Sequence, residues 1–322
     1  MTDAHCYPPA ASLATLQLRA RIRKRIRAFF DALGVLEVET PILASTGVTD
    51  PHIDSLQTRW SEHSLPVYLQ TSPEYAMKRL LAAGSGDIFQ ISRVFRYGER
   101  GRQHHPEFSM LEWYRLAYDH HRLMLEVDDL IRKCLTEHMP LGQSLFWTYR
   151  DAWQQSIELD PFDASIDELK SFVADRCIDV SGLEDDHDSW LQLIMSHCVE
   201  PALPKDRPVF IHDFPASQAA LARIRQDAIP VAERFELYIN GMELANGFHE
   251  LNDADEQRRR FAADLDKRQQ MGKAAIPVDE KLLAALPQMP DCAGVAVGLD
   301  RLVMLAAGAT VIDDVLSFVL DE

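Results

Sequence analysis

Glu236, Glu243 and Glu250 recur every seven residues, which on one helix would give an acidic stripe. The pairs Asn240-Gly241 and Asn246-Gly247 lie between them and argue against a continuous helix, because both dipeptides mark turns. Asn-Gly is the strongest short-range hairpin signal, so Arg234 to Ala245 reads as two antiparallel strands joined at Asn240-Gly241. With a two-residue loop, Tyr238 pairs with Glu243 and Glu236 with Ala245, which puts Glu236 and Glu243 on one sheet face as diagonal neighbours. Bare carboxylates that close repel, whereas hard oxygen ligands on one face suit a Mg²⁺ that also grips triphosphate oxygens. Glu250 lies beyond the second Asn-Gly, and hairpin parity does not place it.

Other segments extend the same pattern. Ile88 to Phe95, Phe108 to Trp113 and Pro208 to Phe214 read as strands, Leu36 to Glu39 as a short strand ended by Thr40-Pro41, and Val295 to Leu305 as a strand turning into a helix capped near Asp300. Strands in runs without βαβ alternation predict an α+β fold, an antiparallel β-sheet flanked by helices. Leu16 to Leu33 carries apolar residues at helical intervals and a basic remainder, ends at Gly34, and reads as an amphipathic helix with a solvated basic face. Ser72-Pro73-Glu74 marks a second helix start, with Ser72 as cap. The stretches 44–66 and 141–188 read as loops, the second a candidate docking surface or an ordinary insertion. Thr46 to Ser55 reads as a lid or a static connection.

The 47% hydrophobic content supports a substantial core, and residues 1–322 read as a single domain. No run approaches the roughly 20 apolar residues of a membrane span, and the first residues lack a secretory signal, so no membrane partner and a cytoplasmic location are expected. Cys6, Cys134, Cys177, Cys198 and Cys292 are scattered, odd in number and expected to be reduced. A net charge of −17 disfavours non-specific polyphosphate binding, so no stable tRNA complex is expected.

Two further stretches carry chemistry. Phe95 to Phe108 is a glycine-containing loop bearing Arg96, Arg100 and Arg102 between two strands; arginine forks match phosphate oxygens, and Phe108 offers a stacking face. In Gly294 to Leu305, Gly298 permits close backbone approach and Arg301 falls in a first helical turn. Two arginine-bearing elements and a glutamate pair around an antiparallel sheet fit ATP, although no P-loop or dinucleotide fingerprint is present.

These stretches resemble the three signature motifs of class II aminoacyl-tRNA synthetases, specifically the lysyl branch. Glu37-Val38-Glu39-Thr40-Pro41 resembles motif 1, Phe95 to Glu112 motif 2, and Gly294 to Leu305 motif 3. Thr71-Ser72-Pro73-Glu74, Asp213-Phe214-Pro215 and Glu243 to Leu251 match the lysyl branch as well, so the likeness covers nearly the whole chain. The chain begins almost at motif 1, and the anticodon-binding domain is expected to be missing. A stand-alone core with Pro106 to Arg115 as it stands is similar to the elongation factor P lysine ligases. That resemblance implies lysine or (R)-β-lysine as the activated substrate, ATP as cosubstrate, a lysine of elongation factor P as acceptor, and a homodimer. A truncated tRNA-charging enzyme and a non-catalytic lysine sensor are the competing readings, and the retained arginines and glutamates argue against the sensor.

Carried over by position, the resemblance implies that Arg96 and Arg301 are catalytic, with Arg96 on the α-phosphate and Phe108 and Arg301 sandwiching adenine. It implies Mg²⁺ on Glu236 and Glu243, and an ATP site also lined by Tyr97, Gly98, Glu99, His105, Leu244 and Gly298. Glu250 and Tyr114 would recognise the ε-ammonium and Glu74 the other amine, with Ser72, Pro73 and Ala296 completing the pocket. Three positions depart from the branch: Gly98 stands where a glutamate is usual with Glu99 one place later, His105 replaces an asparagine, and Ala296 replaces a glycine.

Overall fold

The computed structural model describes residues 8–181, 183 and 185–320. Helix α1 (Leu13–Ala32) starts where Ser12 Oγ accepts from the Thr15 amide, and it buries Leu18, Ile22, Ile26, Phe29 and Phe30 at three- and four-residue steps. Strands β1 (Leu36–Glu37), β2 (Leu43–Ala44), β3 (Gln57–Arg59) and β4 (Pro66–Leu69) follow, then helix α2 (Glu74–Ala82). A long hairpin, β5 (Ile88–Phe95) and β6 (Glu107–Leu116), leads into α3 (His120–Leu135). Next come β7 (Leu145–Thr148), α4 (Tyr149–Ile157), α5 (Ile166–Ala174), α6 (His187–Ile194) and the single turn α7 (Glu200–Ala202). Then β8 (Val209–Pro215), β9 (Ile224–Arg225), β10 (Val231–Ile239) and β11 (Met242–His249) precede α8 (Ala254–Gln270) and α9 (Glu280–Ala285). The chain closes with β12 (Cys292–Gly298) running straight into α10 (Leu299–Ala307).

The main sheet has the order β1-β5-β6-β12-β11-β10-β8-β7, with β9 beside β10, and β2-β4-β3 form a small second sheet. The six central strands are antiparallel as expected, whereas β1 and β7 join the edges in parallel, so the sheet is mixed. Helices α1, α3 and α10 cover one face around Phe30, Trp113, Phe235 and Val297. Phe30 stacks on Phe89 at 4.4 Å, which locks α1 to the sheet. On the other face α2, α8 and α9 close one end around Met77, Leu81 and Phe261, and the helices after β7 close the other. The floor between these clusters is left open.

Several expectations need correction. The stretch 141–188 is not a loop: it carries β7, α4, α5 and the start of α6, and Trp153, Leu169 and Trp190 build a separate core there. Two capping boxes, Thr148 with Asp151 and Ser165 with Glu168, start its helices and are written in the sequence. The stretch 44–66 contains β3. Helix α2 begins at Glu74, with Pro73 at the cap position; the Ser72 hydroxyl still accepts from the Glu74 amide at 3.0 Å. Gly298, not Asp300, caps α10, and Asp300 instead accepts from the Ser109 amide and pairs with Arg19. The basic face of α1 is therefore partly engaged.

Asn240-Gly241 is the hairpin turn, with both residues in the left-handed region (φ 53° and 71°). Asn246-Gly247 is not a turn but lies inside β11. A Cβ on Gly247 would come within 2.5 Å of the Phe235 ring, so glycine is there to let that ring pack. Gly247→Ala should lower stability by about 1–3 kcal/mol, read as a drop in thermal midpoint; an unchanged midpoint would contradict this packing role.

Of the expected thiols, Cys134, Cys177, Cys198 and Cys292 are free, and Cys6 lies outside the described residues. Among the described residues no helix is long and apolar enough to cross a membrane.

Candidate active site

Side chains alternate across a strand, so cross-strand register decides what meets on the open face. Tyr238 opposes Glu243 as expected, but Leu237 opposes Ala245, because a bulge at Leu244 shifts the register. Glu236 consequently faces Asn246 instead of Ala245. Glu236 and Glu243 nevertheless share a face, since Tyr238, opposite Glu243, is two residues from Glu236. The row continues from Asn246 to Ala296 and from Ala296 to Glu112 across β11, β12 and β6. A parallel row joins Phe248, Gly294 and Tyr114. Above these rows lies a cavity of about 390 Å³, lined among others by Ser72, Glu74, Arg96, Phe108, Glu112, Tyr114, Glu243, Glu250, Ala296 and Arg301.

One end of the cavity is acidic. Lys78 on α2 is fully buried and contacts Glu74 at 2.6 Å and Glu250 at 2.7 Å. Burial alone would lower its pKa, but Glu250 and Glu74 together raise it, so Lys78 stays protonated. Tyr114 donates to Glu112 Oε1 and Ser72 donates to Glu112 Oε2, each at 2.7 Å. Burial and the Glu74 charge push Glu112 up to about 8, and burial with Glu74 pushes Glu250 up to about 7 against the pull of Lys78. Gly294 leaves space here, because a Cβ on it would overlap both Tyr114 and Glu250 Oε1.

The other end is basic. The Arg96 guanidinium lies 5.2 Å from the Phe108 ring centroid and 3.6 Å from Glu99. Arg301 donates to the Glu243 carbonyl and approaches His104 Nε2, each at 2.7 Å; burial, then the Arg301 charge, lowers the His104 pKa. His105 is buried with its Nε2 unpartnered, and Glu99, Leu244 and Gly298 complete this part of the lining. The segment expected to be a lid or a static connection is tethered: Asp54 binds Arg268 at 2.8 Å and Lys273 at 2.9 Å, and Thr49 donates to Asp264.

Four expected site residues lie outside the lining. Tyr97 is exposed, Gly98 is a turn residue with φ 77°, and Pro73, at the cap of α2, lines a neighbouring cavity. Glu236 is buried beneath the face, accepting from Arg234 and from the Tyr238 hydroxyl. Arg96 lies over one side of the Phe108 ring. Sequence reasoning gave no role to Lys78, Glu112, Asn246 or Glu200. Glu112 was within reach, since it precedes Tyr114 by two residues on the same strand and so shares its face.

The family model "tRNA synthetases class II (D, K and N)" matches residues 9–322. Proteins named Elongation factor P--(R)-beta-lysine ligase, from Klebsiella pneumoniae subsp. pneumoniae and from Salmonella gallinarum, are each 49% identical to the chain over 328 aligned residues. Both alignments cover all of this chain and all of the relative. The chain belongs to the class II tRNA synthetases of the D, K and N group.

Proposed function

We propose that this protein uses ATP to activate lysine or (R)-β-lysine as an aminoacyl-adenylate and transfers it to the ε-amine of a lysine on elongation factor P. The observation that carries this reading is the buried acidic end of the cavity. Glu74, Glu112 and Glu250 with Lys78 sum to −2 when all are ionised, the complement of a substrate bearing two ammonium groups. A neutral analogue would leave buried carboxylates unpaired. Homology with the two ligases supports the acceptor.

The substrate carboxylate would attack the α-phosphorus of ATP, forming a carboxyl–phosphate bond and releasing pyrophosphate. Arg96 and Arg301 would stabilise negative charge on the phosphate oxygens, and Phe108 would stack on adenine. Glu99 lines the cavity, whereas Gly98 does not, which supports Glu99 for the purine-facing role of the usual motif 2 glutamate. The adenylate carbonyl would then be attacked by the acceptor amine, with AMP leaving.

The carboxylates Glu200, Glu236 and Glu243 suit a divalent cation. Burial and the charges of Glu236 and Glu243 push Glu200 up to about 7, and burial with the Glu243 charge raises Glu236 despite Arg234. Glu243 would be the direct ligand, because its side chain is 41% exposed, while Glu236 stands behind it. Mg²⁺ held there would neutralise triphosphate oxygens. A homodimer is also part of this reading: the motif 1 likeness supports it, and the exposed Leu33, Leu36 and Ile42 provide apolar surface for it to cover.

Lysine-dependent and β-lysine-dependent ATP–pyrophosphate exchange tests activation, and mass-detected addition to elongation factor P, with tRNA offered in parallel, tests the acceptor. Charging of tRNA alone, or no exchange with either amino acid, would overturn the proposal. Affinity should also depend on pH. Glu250 and Glu112 ionise near 7 and 8 in the empty pocket, so kcat/KM for lysine should rise from pH 6 to pH 8 as each proton leaves. A flat profile over that window would contradict the ammonium–carboxylate pairing. Ala296 lies on the floor between Glu112 and Asn246. Ala296→Gly should shift the α- to β-lysine preference roughly tenfold, and an unchanged ratio of kcat/KM values would remove it from specificity.

A further inference from the structure

A second constellation lies across the sheet from the cavity. His212 on β8 opposes Phe235, whose ring belongs to the core under α3, while the neighbouring Glu236 belongs to the cavity side. The start of α3 packs there and brings His120 and His121 against His212 and Asp213. One ligand atom from each of the four side chains lies within 4.8 Å of all the others. His120 Nε2 is 3.3 Å from Asp213 Oδ1, and His212 Nδ1 is 3.3 Å from Asp213 Oδ2.

We propose that His120, His121, His212 and Asp213 form a binding site for a borderline divalent transition-metal ion, with Zn²⁺ the best match. Four ligands at zinc–nitrogen and zinc–oxygen lengths of roughly 2.0–2.1 Å place neighbouring donor atoms about 3.3 Å apart, the spacing found for two of these pairs. Three imidazoles and one carboxylate suit zinc, whereas Mg²⁺ prefers the all-oxygen carboxylates across the sheet.

One observation in particular points to a ligand. His120 and His212 are 1% and 9% exposed, and His212 Nδ1, which faces Asp213 Oδ2 at 3.3 Å, is buried without a well-formed hydrogen bond. Buried polar atoms in native proteins rarely stay unmatched unless water or an ion meets them. Asp213 also holds a left-handed backbone (φ 59°), an uncommon conformation for a residue with a side chain. The exposed His121 ring gives the site access from solvent.

Arg225 donates to both Asp213 oxygens, at 3.2 and 2.9 Å. It also contacts Asp227 at 2.8 Å, so Arg225 stays paired if Asp213 turns to the metal. The overlapping trio of His120, Glu233 and His249 is a weaker candidate: Glu233 and Asp291 already occupy both His249 ring nitrogens, at 2.6 and 3.0 Å. Metal at the four-residue site would clamp the start of α3 to β8 on the back of the sheet.

The test titrates the chelator-treated full-length protein with Co²⁺ in excess Mg²⁺, followed by Zn²⁺. Expected are the visible absorption bands of one tetrahedral Co²⁺ per chain, their loss on adding one equivalent of Zn²⁺, and a higher melting temperature with Zn²⁺. His121→Ala, at an exposed position that leaves folding intact, should weaken binding at least tenfold and abolish the bands. No saturable binding in the wild type, or His121→Ala binding as tightly as wild type, would overturn the site. His120→Asn should reproduce the His121→Ala result; wild-type Co²⁺ affinity in it would also overturn the site.

Discussion

Glu250→Gln is expected to lower kcat/KM for lysine in ATP–pyrophosphate exchange by about 10⁴-fold, with little change in ATP affinity. The substitution keeps shape and removes one charge, so the effect isolates electrostatics. Glu250 is 1% exposed and bound to Lys78. In the variant Lys78 retains Glu74 alone, and the pocket sum falls from −2 to −1, one short of a substrate with two ammonium groups. The unpaired ammonium must then be desolvated without a partner. The proposed ATP site lies at the arginine end of the cavity, so ATP affinity reports separately on folding. A loss under tenfold would show that Glu250 does not recognise the substrate.

Lys78→Met should destabilise the empty enzyme by about 3–5 kcal/mol at pH 8, the cost of removing one partner from a buried ion cluster. Glu74 and Glu250 would be left facing each other with Glu112 nearby and no cation among them. The deficit should shrink as pH falls. Carboxyls whose folded pKa is raised bind more protons folded than unfolded, so they destabilise progressively as pH climbs from the unfolded value of about 4.5 through the folded value, and cost nothing below it. Lys78 itself, with its folded pKa raised, contributes a constant amount below the unfolded lysine value. Urea denaturation at pH 5 and pH 8 measures both limbs; an equal loss at the two values would place the effect in packing instead of charge.

These two residues show where sequence reasoning stopped. Glu250 is named only through resemblance, because it lies beyond the second Asn-Gly, where hairpin parity does not place it. Lys78 was invisible, since a lysine on an amphipathic helix is ordinarily solvated. It became central only when α2 packed over the sheet and drove its ammonium between two carboxylates. The misread Asn246-Gly247 has the same origin: the dipeptide favours a turn locally, but the Phe235 ring needs the space a glycine leaves. The helices of 141–188 are a different case, since their capping boxes were present in the sequence and went unread.

The sequence by itself determined the local geometry: the Asn240-Gly241 turn, the antiparallel centre of the sheet, the apolar face of α1 and the arginines of motifs 2 and 3. Each depends on backbone preference or on spacing within a few residues. Tertiary structure alone decided the parallel edge strands, the bulge that sets Glu236 opposite Asn246, and the charge of the acidic pocket. Those depend on which remote segments touch and on how far burial removes water from their charges, and neither is encoded at short range.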